Sequence, residues 1–550
     1  MSENNNSRQA IRLPLLFSIA LALGVFIGSR MGNPGSAFNS FEGSMSKFRE
    51  VLSYIENDYV DEVDTEAIMD EVLDEMLEEV IEETLQRLDP HTSYISTTDI
   101  DLIRSQLQGN FEGIGIEFNI FKDTIYVVAP LSGGPSEKVG LLSGDKIVKV
   151  DGETIAGVGF TNRDVVSRLR GEKGSAVNVS IKRSGNDDLL NFEIIRDVIP
   201  QYSVDVAYMA DPSTGYMKVS KFSATTYMEF KEALLGLQEK GMQRLILDLT
   251  GNTGGYLDRA VDMVDEILED GKLIVYTEGK ESRYNERHVS RKGGDFEAGS
   301  LIVLIDEGSA SASEIVSGAI QDHDRGLIVG RRSFGKGLVQ LPIALNDGSE
   351  LRLTISRYYT PSGRCIQKPY GEDLDEYYRD DILTRYESGE VFHEDSIKIN
   401  KELTFLTAGG RKVYGGGGII PDHFVPIDTT GNSAYLNRLF SSNSIAEYSL
   451  NYYKKEQANL EAMGLENFLS RFEVSDQMLQ DLAAYGASNG VEYDEDDFME
   501  SKALLTTYLK AFIGRSAWNN EGFYPVWNEQ NEIYQRALNL FEEADALVTN

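Results

Sequence analysis

From residue 48 the apolar positions recur at helical spacing. Phe48, Val51, Leu52, Ile55 and Tyr59 form one stripe, and Met69, Val72, Leu73, Met76, Leu77 and Val80 form another, with Asp64 and Thr65 as a cap between them. The spacing predicts two amphipathic helices, with the glutamates around 71–83 as a solvated face and Pro90 of "LDPHTSYIS" as the stop. Between about 108 and 198 the period shortens to alternating apolar and polar residues among glycine turns, with one helical stretch over 162–169, which reads as a small β-domain. Further on, "GYMKVSKF" and "RLILDLTGNTGGYL" read as strands, the second fully apolar over 245–249 and ending in a glycine-rich loop. A helical run over 257–268, the strands "KLIVYTEG" and "LIVLID", a helix opening at "SASASE" and the strand "GLIVG" follow, an alternation that predicts an α/β layer with a buried sheet. From about 430 the chain reads as helices, including "ALLTTYLKAFIGRSAW" and "EIYQRALNLFEEADALV", whose stripes would build core or a dimer interface.

At 550 residues and 41% hydrophobic composition, the chain can bury several cores. A net charge of −37 repels phosphate backbones and anionic lipid, so nucleic acid is not an expected partner. Cys365 is the sole cysteine, which excludes an intramolecular disulfide, and no Cys/His spacing suggests a metal; no cofactor is expected. Residues 13–28, "LPLLFSIALALGVFIG", are uncharged and mostly apolar, with Arg8 and Arg12 before them and Arg30 after. They predict a signal anchor with the basic start in the cytoplasm and everything beyond about residue 35 exported; "GSA" at 35–37 is only a faint cleavage site.

The chemistry concentrates in "LIVLIDEGSASASEIVSGAIQDHDRGLIVGRRSFGKGLVQ", residues 301–340. Ser311 and Glu314 fit a capping box, in which a hydroxyl and a carboxylate satisfy the free amides of a helix start. The same place suits a nucleophile: small residues flank Ser311, and the Ala312 N–H at a helix start could hold an oxyanion. A nucleophilic hydroxyl needs a base. Of the five histidines, His323 would lie roughly 18 Å along the same helix. His91 stands in a turn with no partner that the sequence suggests. Lys336, between Gly335 and Gly337, is the better candidate, provided that burial lowers its pKa from the ordinary value of about 10.4.

Two resemblances sharpen these readings. "GIGIEF" from Gly113, "GDKIVKVDG" from Gly144 and "LRGEKGS" from Leu169 resemble a PDZ domain. The resemblance implies that a peptide adds to a sheet edge and that the loop of Gly113, Ile114, Gly115 and Ile116 captures its terminal carboxylate. The ordered set "LDPHTSY", the PDZ motifs, "LILDLTGNTGG", "EGSASASEI", "GRRSFGKGLVQ", "DGSELRLTISRYYTPSGRCIQ" and "GIIPD" resembles the C-terminal processing peptidases, tail-specific serine proteases of bacterial envelopes and chloroplast lumens. Carried over residue by residue, the family pattern implies Ser311 as nucleophile, Lys336 as base, Gln340 as the group orienting that lysine, and the amides of Ala312 and Gly255 as oxyanion donors. Arg170 resembles an arginine that couples peptide docking to alignment of the protease site. One departure is Thr250, where the family commonly has an arginine, which puts a local ion pair in question.

The expected architecture is a multidomain α/β protein: cytoplasmic N-terminus and anchor over 1–36, a helical region over 40–104, a PDZ domain over 105–198, a crotonase-like or Clp-like serine protease core over 199–428, and a helical extension over 429–550. The expected enzyme is anchored in the inner membrane with its bulk in the periplasm. Its partners would be protein substrates with a free C-terminus; a homodimer or higher oligomer, substrate caging and an adaptor or activator are each compatible with the extension. Two rivals stay open: a non-catalytic PDZ scaffold, and a crotonase-like acyl-transfer enzyme, which would have no use for a peptide-binding domain.

Overall fold

The apolar run "LILD" becomes the strand Arg244–Asp248, in the middle of a six-stranded sheet of the computed structural model. The strand order is Val204–Met209, Thr214–Val219, Arg244–Asp248, Ser300–Ile305, Leu327–Gly330 and His423–Phe424; the first pair is antiparallel and the others are parallel. Both faces of the sheet are covered, which is why the central strands read as unbroken apolar runs. Leu245, Leu247, Val303 and Ile305 pack towards the helices Thr226–Glu239, Leu257–Asp265 and Ala312–Asp322, in one core with Phe230, Val264 and Ile315. The alternate residues Ile246, Ile302 and Leu304 pack on the other face against Ile533, Tyr534, Ala537 and Phe541, from the last two helices, Glu532–Leu538 and Phe541–Thr549.

The structure describes residues 77–549, apart from 98, 121–122, 132, 143, 184, 187, 372–376 and 379–380. The expected anchor over 13–28 and the first predicted helix lie outside these residues; helical residues 77–86 are the described end of the second. Among the described residues no helix is long and apolar enough to cross a membrane. Residues from Thr84 onward form one compact unit.

"KLIVYTEG" is a strand, Leu273–Gly279, but it does not join the parallel layer as its place in the alternation suggested. It pairs antiparallel with Arg287–Val289 and with the long strand Glu350–Tyr359. A chain that turns back within a few residues can only pair antiparallel. Glu350–Tyr359 in turn pairs with Leu338–Ala344 and with the short Ser93–Ile95, so this second sheet carries the segment after Lys336 and anchors "LDPHTSY" beside it.

The small β-domain has its own core around Ile125, Ile147, Val165, Val177 and Ile181. Its strands follow the order Ile116–Ile120, Ile125–Pro130, Lys146–Val150, Ala176–Lys182, Leu190–Ile195, and its helix is Asn162–Leu169. The chain enters and leaves through Asn110–Gly113 and Asp197–Pro200, which pair with each other, so the domain is inserted on a two-stranded ribbon. The C-terminal helices Ala434–Ser441, Ser444–Met463, Leu465–Arg471, Asp476–Ser488 and Glu495–Trp527 enclose a further core of Tyr435, Leu439, Phe468, Leu482 and Leu509. The last of them breaks at Trp518 and Asn519.

Candidate active site

Ser311 immediately precedes the helix Ala312–Asp322 and has φ 55° and ψ −111°. Such a setting costs a non-glycine residue on the order of 1–3 kcal/mol and persists only where the surroundings enforce it. Here two strand-end loops are laced together: Ser309 Oγ donates to the Leu249 carbonyl at 2.8 Å, Ala310 N–H to the Asn252 carbonyl at 2.9 Å, and Ser313 Oγ to the same carbonyl at 2.8 Å. Gly254 lies so close that a Cβ there would stand 2.7 Å from Ser311 Cβ and 3.0 Å from the Ala312 nitrogen. Gly255, at φ 145°, follows the main chain of Phe222, whose N–H donates to the Gly254 carbonyl at 2.9 Å. The amides of Ala312 and Gly255 make no backbone hydrogen bond among the described residues.

Glu314 joins the serine to the lysine. It is fully buried, and its Oε2 accepts the Ser311 N–H at 2.8 Å, as the capping-box reading expects. The Glu314 N–H goes to the Ser311 carbonyl at 2.9 Å. The same Oε2 also accepts the Lys336 N–H at 2.9 Å, while Oε1 accepts Ser333 Oγ at 2.5 Å and Gly335 N–H at 2.7 Å. One carboxylate oxygen therefore receives the amides of both candidate catalytic residues. Burial pushes the Glu314 pKa up, to about 7, against the pull of these donors. The Tyr358 hydroxyl adds a second tie, lying between the carbonyl oxygens of Lys336 and Ser311.

Lys336 is half-buried, and the glycines beside it are set by close approach: a Cβ at Gly337 would stand 2.8 Å from the Gln367 nitrogen. Desolvation holds the Lys336 pKa below the ordinary lysine value; the Arg352 charge lowers it further, and the charges of Glu314 and Asp89 oppose them. Gln340 lies on Leu338–Ala344 directly opposite Thr354, just past a register shift at Val339/Gln340, and its Nε2 donates to Thr354 Oγ1 at 3.2 Å.

Residues 213–375 match the model of peptidase family S41, residues 113–194 that of the PDZ domain, and residues 435–519 a family of unknown function. The carboxy-terminal-processing protease of Bartonella bacilliformis is 36% identical over 327 residues, 59% of this chain and 72% of that protein. The chain belongs to the carboxy-terminal processing proteases of family S41. The carboxy-terminal processing protease CtpB of Bacillus subtilis is 34% identical over 330 residues, covering 59% of this chain and 66% of its own. Among solved structures, a photosystem II D1 C-terminal processing protease matches at 28% identity over 58% of this chain and 89% of that one, with a TM-score of 0.33.

In this S41 protease the Thr250 departure has a structural answer. Asp248 is buried and pairs with Lys218 on the neighbouring parallel strand at 3.0 Å; Lys218 Nζ also reaches Thr250 Oγ1 at 2.8 Å, and the Tyr216 hydroxyl donates to Asp248 at 2.6 Å. A lysine from "GYMKVSKF" thus supplies the positive charge that an arginine after the strand would bring.

The PDZ loop of Gly113, Ile114, Gly115 and Ile116 leads into Ile116–Ile120, an end strand of its sheet. Ile114 and Gly115 turn their carbonyls inward, accepting from Ser136 N–H and Leu131 N–H, both at 3.0 Å. Arg170, at the end of the PDZ helix, bridges to Gly113, stacks over Phe111 with 4.5 Å to the ring centroid, and donates to Ser105 Oγ at 2.5 Å. Ser105 lies on the helix Ile100–Gln108, whose Arg104 pairs with Glu350 at 3.2 Å on the strand that carries Thr354.

Among the histidines, His323 caps the end of the helix Ala312–Asp322, with Nε2 2.6 Å from the Leu273 carbonyl oxygen. His91 is buried between two tyrosine hydroxyls, Tyr377 at 2.9 Å and Tyr378 at 2.8 Å, and burial, with the Lys336 charge, brings its pKa down to about 3. Its partners come from almost 290 residues further along, a distance over which sequence spacing carries no signal. Asp89, Thr354 and Tyr358 were also missed as site residues, although each lies in a motif that carried the resemblance.

Proposed function

We propose that the protease cleaves its substrates by a Ser311/Lys336 dyad and takes them by their C-terminal tails. The observation that carries this reading is the Glu314 carboxylate, which accepts the Ser311 and Lys336 amides on one oxygen at 2.8 and 2.9 Å, beside a lysine whose amine is desolvated. Neutral Lys336 takes the proton from Ser311 Oγ as that oxygen bonds to the substrate carbonyl carbon. The resulting oxyanion is received by the amides of Ala312 and Gly255. Collapse breaks the C–N bond as the Lys336 ammonium gives its proton to the leaving amine; water, deprotonated by the again neutral lysine, then bonds to the acyl carbon, the bond to Ser311 Oγ breaks, and the lysine returns the proton to that oxygen. Gln340 orients the lysine amine.

On the PDZ domain, the tail adds as a strand to Ile116–Ile120, and the loop from Gly113 to Ile116 receives its carboxylate. The apolar run over 13–28, with arginines on both sides, supports an anchored enzyme with its bulk in the periplasm. The test is cleavage of a loosely folded protein with an apolar C-terminal tail by the full chain in detergent. Ser311→Ala and Lys336→Ala are each expected to abolish cleavage, and amidation of the tail to weaken it. Cleavage that persists in Ser311→Ala would reject the site. Binding of tails that is unaffected by amidation would reject carboxylate capture.

A further inference from the structure

A polar chain enters the active site from a segment that precedes the PDZ domain. Gln340 Nε2 meets Thr354 Oγ1 at 3.2 Å, and Thr354 Oγ1 donates to Asp89 Oδ1 at 2.9 Å. Asp89 is buried, and it also accepts the amides of His91 and Thr92, both at 2.9 Å, and the Thr92 hydroxyl at 2.5 Å. Thr92 Oγ1 accepts the Thr354 amide at 3.1 Å, which closes the chain onto the same strand. The register shift at Val339/Gln340 aims the glutamine side chain across the pair, as bulges beside active sites do.

The direction of this chain follows from what each group can give. Every contact of the Asp89 carboxylate is with a donor, so here it only accepts, and a hydroxyl has a single hydrogen. Burial favours the neutral acid, but the Thr92, His91 and Thr354 donors outweigh it and hold the Asp89 pKa below its ordinary value. The Thr354 hydrogen is therefore committed to Asp89, and Thr354 Oγ1 has only lone pairs to offer Gln340. Gln340 must meet it with its NH2, which leaves Oε1 for the other side. A neutral lysine amine has one lone pair, and that pair must take the Ser311 proton. An NH2 facing the amine would occupy the pair; a carbonyl oxygen takes one of its hydrogens and leaves the pair free.

We propose that Asp89 and Thr354 are positioning residues that fix the amide of Gln340 so that its Oε1 faces Lys336 and holds the lysine amine with its lone pair open to Ser311. This rests on the reading of Lys336 as base and Gln340 as its orienting group. The charged and titratable groups around Lys336 are Arg352, Glu314, Asp89, His91 and Tyr358.

The experiment measures kcat and KM of the full-length enzyme on a tailed substrate from pH 6 to 10 for Thr354→Val, Thr354→Ser and Asp89→Asn. Thr354→Val and Asp89→Asn are expected to lower kcat by about tenfold or more, with KM little changed, and to move the acid limb of the profile to lower pH, because the ammonium loses an acceptor or a nearby negative charge. Thr354→Ser, which keeps the hydroxyl, should restore kcat and the profile. Wild-type kcat and profile in Thr354→Val would overturn the proposal, as would a loss in that variant that tracks a lower melting temperature with the acid limb unmoved. Lys336→Ala, measured in parallel, separates the two levels: activity in that variant refutes the dyad, whereas an inactive Lys336→Ala beside a fully active Thr354→Val refutes the relay alone.

Discussion

Glu314 shows how much of this active site rests on one side chain. Four donors converge on its carboxylate in a fully buried position, two of them the amides of Ser311 and Lys336. Glu314→Ala would leave those donors without a partner at about 1–3 kcal/mol each. We expect it to abolish cleavage and to lower the melting temperature, whereas Glu314→Gln, which keeps the shape but turns one acceptor into a donor, should fold better than the alanine variant and still lose activity. Calorimetry and kinetics on both variants test this; an active Glu314→Ala would remove Glu314 from the site. Lys336 makes a pH prediction. Its folded pKa is depressed, so the neutral form, the base of the proposed dyad, accumulates below the ordinary lysine range. Activity should rise with pH through that depressed value and level off before about pH 10.4; a rate still climbing beyond it would mean that the lysine is not desolvated in the working enzyme. Ser311, Lys336 and their glycines can be proposed from the sequence because each is local to a motif that carries the resemblance. Glu314 was read only as a cap, since its bonds to Ser333, Gly335 and Lys336 join segments that sequence spacing does not relate.

At the scale of elements, the ribbon Asn110–Gly113 with Asp197–Pro200 and the helix Ile100–Gln108 connect the PDZ domain to the protease sheet. Arg170 touches both: its backbone bridges to Gly113, at the end of the ribbon strand Asn110–Gly113, and its side chain donates to Ser105 on that helix. Arg170→Ala is therefore expected to reduce cleavage of tailed substrates several-fold while leaving tail binding near the wild-type level, as read by peptide titration beside kinetics. An unchanged rate would reduce Arg170 to a structural residue of the PDZ domain. The helix over 162–169 and the central strands were legible from periodicity. The placement of Leu273–Gly279 in the second sheet was not, because an apolar strand reads alike in either sheet and only its hairpin partner decides.

Over the whole molecule, the last two helices of the C-terminal extension complete the core of the six-stranded sheet. Ile533, Tyr534, Ala537 and Phe541 cover the sheet face that presents Ile246, Ile302 and Leu304, and Ser300 and Arg244 both bond to Asp545. Truncation at residue 530 would expose these fully buried strand residues, each worth about 1.5–3 kcal/mol in burial. The shortened chain is expected to be aggregated or unfolded by circular dichroism and size exclusion; a folded, active truncation would show that the face is covered in some other way.

The sequence by itself determined the α/β layer and the inserted PDZ domain, and pointed to the serine and lysine of the proposed dyad, because apolar periodicity and contiguous glycine-rich motifs are local properties of the chain. Only the tertiary structure decided that Lys218 balances Asp248, that Glu314 joins the loops of Ser311 and Lys336, that Asp89 reaches Gln340 through Thr354, and that the last helices close the sheet. The reason is the same in each case: a buried charge or an apolar face is satisfied by whatever the fold brings to it, and those partners lie on other strands, helices and turns, up to hundreds of residues away.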